Sequence, residues 1–235
     1  MKIWHISDTH GHHDQLKVPA NIDLVIHSGD ASNYKDPYRN EQEMQSFLTW
    51  YSRLNIPHKV FVAGNHDTSI EKGLIHKDDI NFSMGIHYLY MNTIEIMGMK
   101  IWGSPYVPRY GDWAFMKPRA EMMKKVWDFI DPEADIIVTH TPPKGILDYS
   151  DRRIYDSSMN TNINIVEDCG CLSLKKKIIQ INPKLHCFGH IHSTRAIQNA
   201  GTRTIPSLQT VFSNGSCCMD REKNRMTFNG NIINI

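Results

Sequence analysis

Val60-Phe61-Val62-Ala63-Gly64-Asn65-His66-Asp67 carries the pattern that organises this chain: a short apolar run, a glycine, then side chains that bind metals or protons. A brief run of β-branched and aromatic residues bounded by turn residues reads as a strand buried on both faces. The polar residues behind it then sit where the strand ends and a loop begins. Outward from this stretch the same arrangement recurs. Asp8 and His10 follow Lys2-Ile3-Trp4-His5-Ile6, and Asp30 follows Leu24-Val25-Ile26-His27-Ser28-Gly29. His140 follows Ile136-Ile137-Val138-Thr139, and Gly189-His190-Ile191-His192 follows Leu185-His186-Cys187-Phe188. Five strand ends would deliver oxygen and imidazole donors to one edge of a sheet, where open α/β folds place their sites. This is the outline of a site for two metal ions.

Residues 1–7, 23–28, 59–63, 135–139 and 185–188 read as strands. Residues 41–54 read as a helix with Met44, Phe47, Leu48 and Tyr51 on one face, stopped by Pro57. Residues 88–91 and 93–102 suggest a strand pair turning at Gly98-Met99. Residues 118–130 predict a second helix, because Pro118 suits a first turn and Met122, Met123, Val126, Trp127 and Ile130 recur at helical spacing. That stripe reads as core. Residues 169–181 predict a third helix, with Lys175-Lys176-Lys177 as its solvated face. Residues 202–235 alternate apolar and polar positions around turns such as Asn229-Gly230, which predicts antiparallel hairpins. Strands with intervening helices first and hairpins last fit an α/β two-sheet β-sandwich flanked by helices.

A chain of 235 residues can bury one substantial core, and without a Gly/Ser-rich linker or composition break residues 1–235 read as a single domain. Lys and Arg number 26 against 25 Asp and Glu, so no global charge bias favours nucleic acid or membrane. The five cysteines are odd in number and lack Cys-x-x-Cys spacing, which fits reduced thiols rather than a structural zinc site. No signal-peptide core opens the sequence, and no apolar run approaches the ~20 residues of a membrane span. The expectation is a cytoplasmic protein.

The order Asp-x-His, Gly-Asp, Gly-Asn-His-Asp, a lone His and Gly-His-x-His, from Asp8 to His192, resembles the calcineurin-like metallophosphoesterase superfamily. A narrower resemblance lies between and after these segments. Residues 100–108, Trp113-Ala114-Phe115, His140-Thr141-Pro142-Pro143, Gly170-Cys171 and residues 183–192 look like the metallophosphoesterase-domain-containing branch, which includes brain cyclic nucleotide phosphodiesterases. The chain departs from the branch at Asn214-Gly215-Ser216, where Asn-Ala-Ser is usual. The resemblance implies the sandwich layout, two divalent metals and hydrolysis of small phosphodiesters, cyclic nucleotides among them.

By this resemblance one metal takes Asp8, His10, Asp30 and His192, and the other takes Asp30, Asn65, His140 and His190. Asp30 would bridge, since one negative group between two cations offsets their repulsion. The mixed nitrogen and oxygen set suits Mn²⁺ first, then Fe²⁺ or Zn²⁺, and disfavours Mg²⁺. A hydroxide bridging the metals would attack phosphorus in line. The leaving alkoxide then needs a proton, which His66 would give, with Asp67 accepting its other N–H and holding its orientation.

His5 and His27 read as core groups, and His12 and His13 as loop residues. Arg109, with Tyr110 beside it, and Asn214 are candidates for substrate contact. A small phosphodiester or nucleotide is the expected partner, with no membrane and no long nucleic acid, because no basic and aromatic-interleaved stretch offers a backbone track. The alternative within enzymes is a phosphomonoesterase of broad specificity. A non-catalytic scaffold would be expected to have lost ligands, and all seven are present.

Overall fold

The structure, a computed structural model, describes residues 1–120, 122–156, 158, 161–194, 196–220 and 225–235. The chain opens with β1 (Lys2–Ile6), β2 (Leu24–His27), α1 (Pro37–Ser52), β3 (His58–Phe61), the single turn α2 (Thr68–Glu71) and β4 (His87–Tyr88). Then come β5 (Asn92–Ile96), β6 (Met99–Ser104), the short strands β7 (Val107–Pro108) and β8 (Met116–Lys117), α3 (Met122–Trp127) and β9 (Ile136–Thr139). β10 (Tyr149–Asp156), β11 (Thr161–Asp168), α4 (Leu172–Ile181) and β12 (Leu185–Phe188) follow. The chain closes with β13 (Gly201–Thr204), β14 (Val211–Asn214), β15 (Cys218–Asp220), β16 (Arg225–Met226) and β17 (Asn231–Asn234).

Among the described residues these strands make two main sheets, ordered β17-β1-β2-β3-β4 and β13-β14-β12-β9-β6-β5. β1 to β4 run parallel with β17 antiparallel at one edge, and β14, β12, β9 and β6 run parallel between antiparallel β13 and β5. The sheets pack face to face. Ile3, Leu24, Ile26 and Val60 of one meet Ile101, Ile136, Val138, Leu185 and Cys187 of the other. The outer face of the first sheet presents Trp4, Val25 and Phe61 to α1, while Trp102, Ile137, Phe188 and Phe212 of the second meet α3 and α4. With both faces of each sheet covered, the parallel strands are largely apolar, with His5, His27 and His186 as buried exceptions, which is why they appear as nearly continuous runs in the sequence. The parallel strands all end at one edge of the sandwich, and that edge holds the site.

α1 begins at Pro37, four residues before the position expected from periodicity alone. The carboxylate of Asp36 accepts the Arg39 N–H at 3.0 Å, and Pro37 occupies the first turn, where a missing N–H costs nothing. Met44, Phe47, Leu48 and Tyr51 are buried on its sheet-facing side. The Tyr51 hydroxyl donates to the carbonyls of Val60 (2.8 Å) and Val25 (3.0 Å), locking the helix to β2 and β3. Tyr51→Phe should therefore lower stability by about 1 kcal/mol in chemical denaturation.

The strand pair turns at Gly98 as expected, but it joins β5 to β6. Tyr88 lies in β4, parallel to β3 in the other sheet. α3 is shorter than the 118–130 pattern predicts, starting at Met122 and leaving Pro118 and Arg119 in the preceding loop. Glu121 and the side chains of Met122 and Met123 lie outside the described residues, as do residues 221–224 in the region of expected hairpins. The β10–β11 ribbon, antiparallel over eight residue pairs, was not foreseen. Among the described residues no helix is long and apolar enough to cross a membrane. All five cysteines carry free thiols.

Candidate metal centre

Asp8, His10, Asp30 and His190 all leave their strands with positive φ, at 54°, 44°, 56° and 70°. Left-handed backbone is uncommon for side-chain-bearing residues and gathers where geometry serves a site. Here it turns the chain sharply at the strand end and aims each side chain at one point. The glycines in these segments have a steric role. A Cβ on Gly64 would stand 2.8 Å from His140 Cε1 and overlap the Asp30 carboxylate. A Cβ on Gly189 would stand 2.7 Å from Ser7 Cβ and overlap the Asp8 carboxylate. Gly189→Ala should cost about 1–3 kcal/mol of stability through overpacking, and metal content should fall with it. A variant with parental melting temperature and metal content would contradict that contact.

The donors form three overlapping groups: Asp8 with His10 and His192, His10 with Asp30 and His66, and Asp30 with His140 and His190. Asp30 Oδ2 stands between the first and last, 4.0 Å from His10 Nε2 and 3.2 Å from His140 Nε2. Asn65 Oδ1 lies 3.0 Å from the same His140 nitrogen. His192 Nε2 lies 3.0 Å from Asp8 Oδ1 and 3.3 Å from His10 Nε2. The structure thus brings the seven sequence-predicted ligands together, and it places His66, expected to hold neither metal, beside His10 and Asp30.

Their tautomers can be read from the far side of each ring. Nδ1 of His140 faces the Ser28 carbonyl oxygen at 2.9 Å, and Nδ1 of His10 faces that of Ser32 at 3.2 Å. A carbonyl only accepts, so both Nδ1 atoms carry hydrogen and both Nε2 atoms point inward, toward carboxylate and amide oxygens. Such a convergence of oxygens around His10 and His140 is relieved by positive charge, a proton on His140 or a metal cation in its place. Burial opposes charge on His140, but Asp30 and then Asp8 raise it to about 9. Burial likewise works against the Asp30 charge, yet His140, His66 and His10 hold its carboxyl well below the usual range. Burial keeps His10 and His190 neutral, each pushed down to about 3. Once the His140 proton is displaced, imidazole nitrogens, anionic carboxylates and an amide oxygen in one buried cluster fit divalent metal ions. Asp8 is held for this role by the Ser216 hydroxyl, which donates to Oδ2 at 2.7 Å, and by the His190 N–H.

Asp67 does not touch the His66 ring. It is fully buried, and its oxygens accept the N–H groups of Gly64 (2.7 Å), Asp30 (3.0 Å) and Ser32 (3.0 Å) and the Ser32 hydroxyl (2.7 Å). It ties the Asp30 and Asn65 loops together. Burial and the Asp30 charge raise it to about 6. His66 is oriented differently: Nδ1 faces the Asn33 carbonyl oxygen at 3.1 Å, and the ring lies on Trp113 with centroids 4.1 Å apart. Its backbone N–H donates to Asp30 Oδ1 at 2.7 Å.

A cavity of about 660 Å³ opens over these donors. His66, Trp113 and Tyr110 line it, and the Asn65 amide donates to the Tyr110 hydroxyl at 3.0 Å, which turns Oδ1 toward His140. Arg119 lines the wall rather than Arg109, which is exposed beside β7 with its backbone N–H bonded to Lys117. Asn214 is fully buried. Its amide donates to the carbonyls of Leu147 and Ile191 and its oxygen accepts the Ser216 N–H, so it braces the loops and has no donor left for substrate. His5 bridges the sheets through Ser213 and Ser28, and His27 bonds Thr9, as core groups do. Tyr110 was among the candidate contacts, whereas Trp113 was missed as a ring partner of this site, because it follows a glycine-bearing turn that reads equally well as packing.

Residues 1–194 match the family described as calcineurin-like phosphoesterase. The chain belongs to that family. Metallophosphoesterase domain-containing protein 1 of Homo sapiens is 27% identical over 91% of this chain, which spans 65% of that relative's length. A UPF0046 protein of Caenorhabditis elegans is 30% identical over 87% of this chain and 68% of its own. Among solved structures, TT1561 of Thermus thermophilus superposes with a TM-score of 0.60 over 91% of this chain and 88% of its own, at 15% identity. That likeness is one of fold.

Proposed function

We propose that this metallophosphoesterase chain hydrolyses small phosphodiesters, cyclic nucleotides among them, with two divalent metal ions held by Asp8, His10, Asp30, Asn65, His140, His190 and His192. The observation that carries the reading is Asp30 Oδ2, set between His10 and His140 so that one carboxylate serves both donor groups. When bound, two such cations supply charge to neutralise phosphate oxygens and activate water at neutral pH. The chain's own residues do the rest. The carbonyls of Ser28 and Ser32 fix the two imidazole tautomers, and Tyr110 fixes the Asn65 amide. His66 faces the cavity within reach of the His10 and Asp30 donors, where an alkoxide leaving group would need a proton. The rings of Trp113 and Tyr110 give a nucleobase surfaces to stack on. Mn²⁺ suits the donor set first. The five free thiols support a cytoplasmic protein.

With Mn²⁺ supplied, 2′,3′- or 3′,5′-cyclic nucleotides should be cleaved with higher kcat/KM than the corresponding monoesters. Faster monoester cleavage would assign the chain to the phosphomonoesterases instead.

A further inference from the structure

A second cavity, of about 570 Å³, adjoins the one over the metal donors, and the two share Pro108 and Arg119 as a common wall. α3 and one side of α4, from Leu172 to Gln180, form its other sides. Trp127 is buried at its base, with Nε1 donating to Cys171 Sγ at 3.4 Å. Above this apolar base stand Arg119, Lys124, Lys176 and Lys177 with one acid, Asp128. Asp128 lies 3.7 Å from Lys177 and answers that charge. Among the described residues Lys124 and Lys176 form no ion pair. Four cations in one groove are a local excess in a chain of formal net charge +1. Read in sequence, the lysine run at 175–177 is a solvated helix face. The fold sets two of its members around a groove with Lys124 from another helix and Arg119 from a loop, and a merely solvated face does not require that gathering.

We propose that this groove is an anion subsite that takes a second phosphate group of the substrate, so that nucleotides or short oligonucleotides bearing a phosphate beyond the scissile diester are preferred. The claim about substrate preference rests on the phosphodiesterase reading; the claim that the groove binds phosphate does not. Lysines act on phosphate as mobile point charges, whereas Arg119, in the wall common to both cavities, offers a planar fork to the chain of phosphates as it passes. Arg119, Lys124 and Lys176 stand exposed, so the attraction is open to screening by salt.

The test compares a dinucleoside monophosphate with the same dinucleotide carrying a terminal phosphate, on the Mn²⁺-loaded parent and on Lys124→Ala/Lys176→Ala. In the parent the terminal phosphate should raise kcat/KM about tenfold, mainly through KM, and added salt should shrink the advantage. The double variant should bring the ratio close to one. A ratio near one in the parent, or an unchanged ratio in the variant, overturns the subsite. If neither dinucleotide is cleaved, the phosphodiesterase reading is decided by the cyclic nucleotide assay and the groove by calorimetric titration of inorganic pyrophosphate without added metal. Affinity about tenfold weaker in the double variant then upholds phosphate binding, and equal affinity overturns it. Equal binding of a glutamate-rich peptide would reassign the groove to an acidic protein partner.

Discussion

Asp30→Ala is expected to lower diester turnover by about 10³-fold or more, since several kcal/mol of charge stabilisation depend on both metal positions. The carboxylate stands between His10 and His140, and its other oxygen accepts the His66 N–H. Its loss therefore removes a ligand from both donor groups and frees the segment carrying Asn65. Asp30→Asn separates these effects, because the amide oxygen still accepts the N–H while the charge is gone. Metal content and turnover should be measured together, with both variants holding fewer than two metals. Asp30→Ala with two metals and near-parental turnover would remove Asp30 from the bridging position.

His66→Gln is expected to slow a diester with a poor alkoxide leaving group by roughly 10²–10⁴-fold, the range of general acid catalysis, while a diester expelling p-nitrophenolate loses much less. The ring faces the cavity, lies on Trp113 and has Nδ1 against the Asn33 carbonyl, which leaves Nε2 as the atom free to hold or give a proton. Because His66 also groups with His10 and Asp30, metal content decides between two roles. Equal losses on both substrates with metals retained would make it a phosphate-stabilising group, and loss of metal would make it a ligand. Trp113→Ala should give a weaker form of the same leaving-group dependence, since it removes the surface that orients the ring.

The donors of this site were legible in the sequence for a physical reason. Strands covered on both faces must be apolar, so Asp8, Asp30, Asn65, His140 and His190 stand out as polar residues just past apolar runs. The sandwich itself was legible for the same reason, and α1 because Met44, Phe47, Leu48 and Tyr51 repeat at helical spacing. The ribbon of β10 and β11 was not, since Ser150-Asp151-Arg152-Arg153 shows neither an apolar run nor an apolar–polar alternation in the sequence. The start of α3 was misread because Pro118 suits a first turn as well as a loop. Contacts between distant segments were the least visible. Asp67 sits beside His66 in sequence, yet its four hydrogen bonds come from the Gly64, Asp30 and Ser32 N–H groups and the Ser32 hydroxyl, and adjacency alone suggested a pairing that the turn does not make. Asn214 similarly ends β14 at the site's edge, where position suggested substrate contact and burial assigned it to bracing the loops. The lysines at 176 and 177 gained a groove only once α4 was placed beside α3.

The most direct test of the dinuclear reading is a titration of Mn²⁺ into chelator-treated protein, with bound metal and turnover of a cyclic nucleotide followed in the same samples. Two equivalents should bind per chain, and turnover should appear as the second site fills. Full turnover at one equivalent, or two equivalents bound with no diester cleaved, would contradict it.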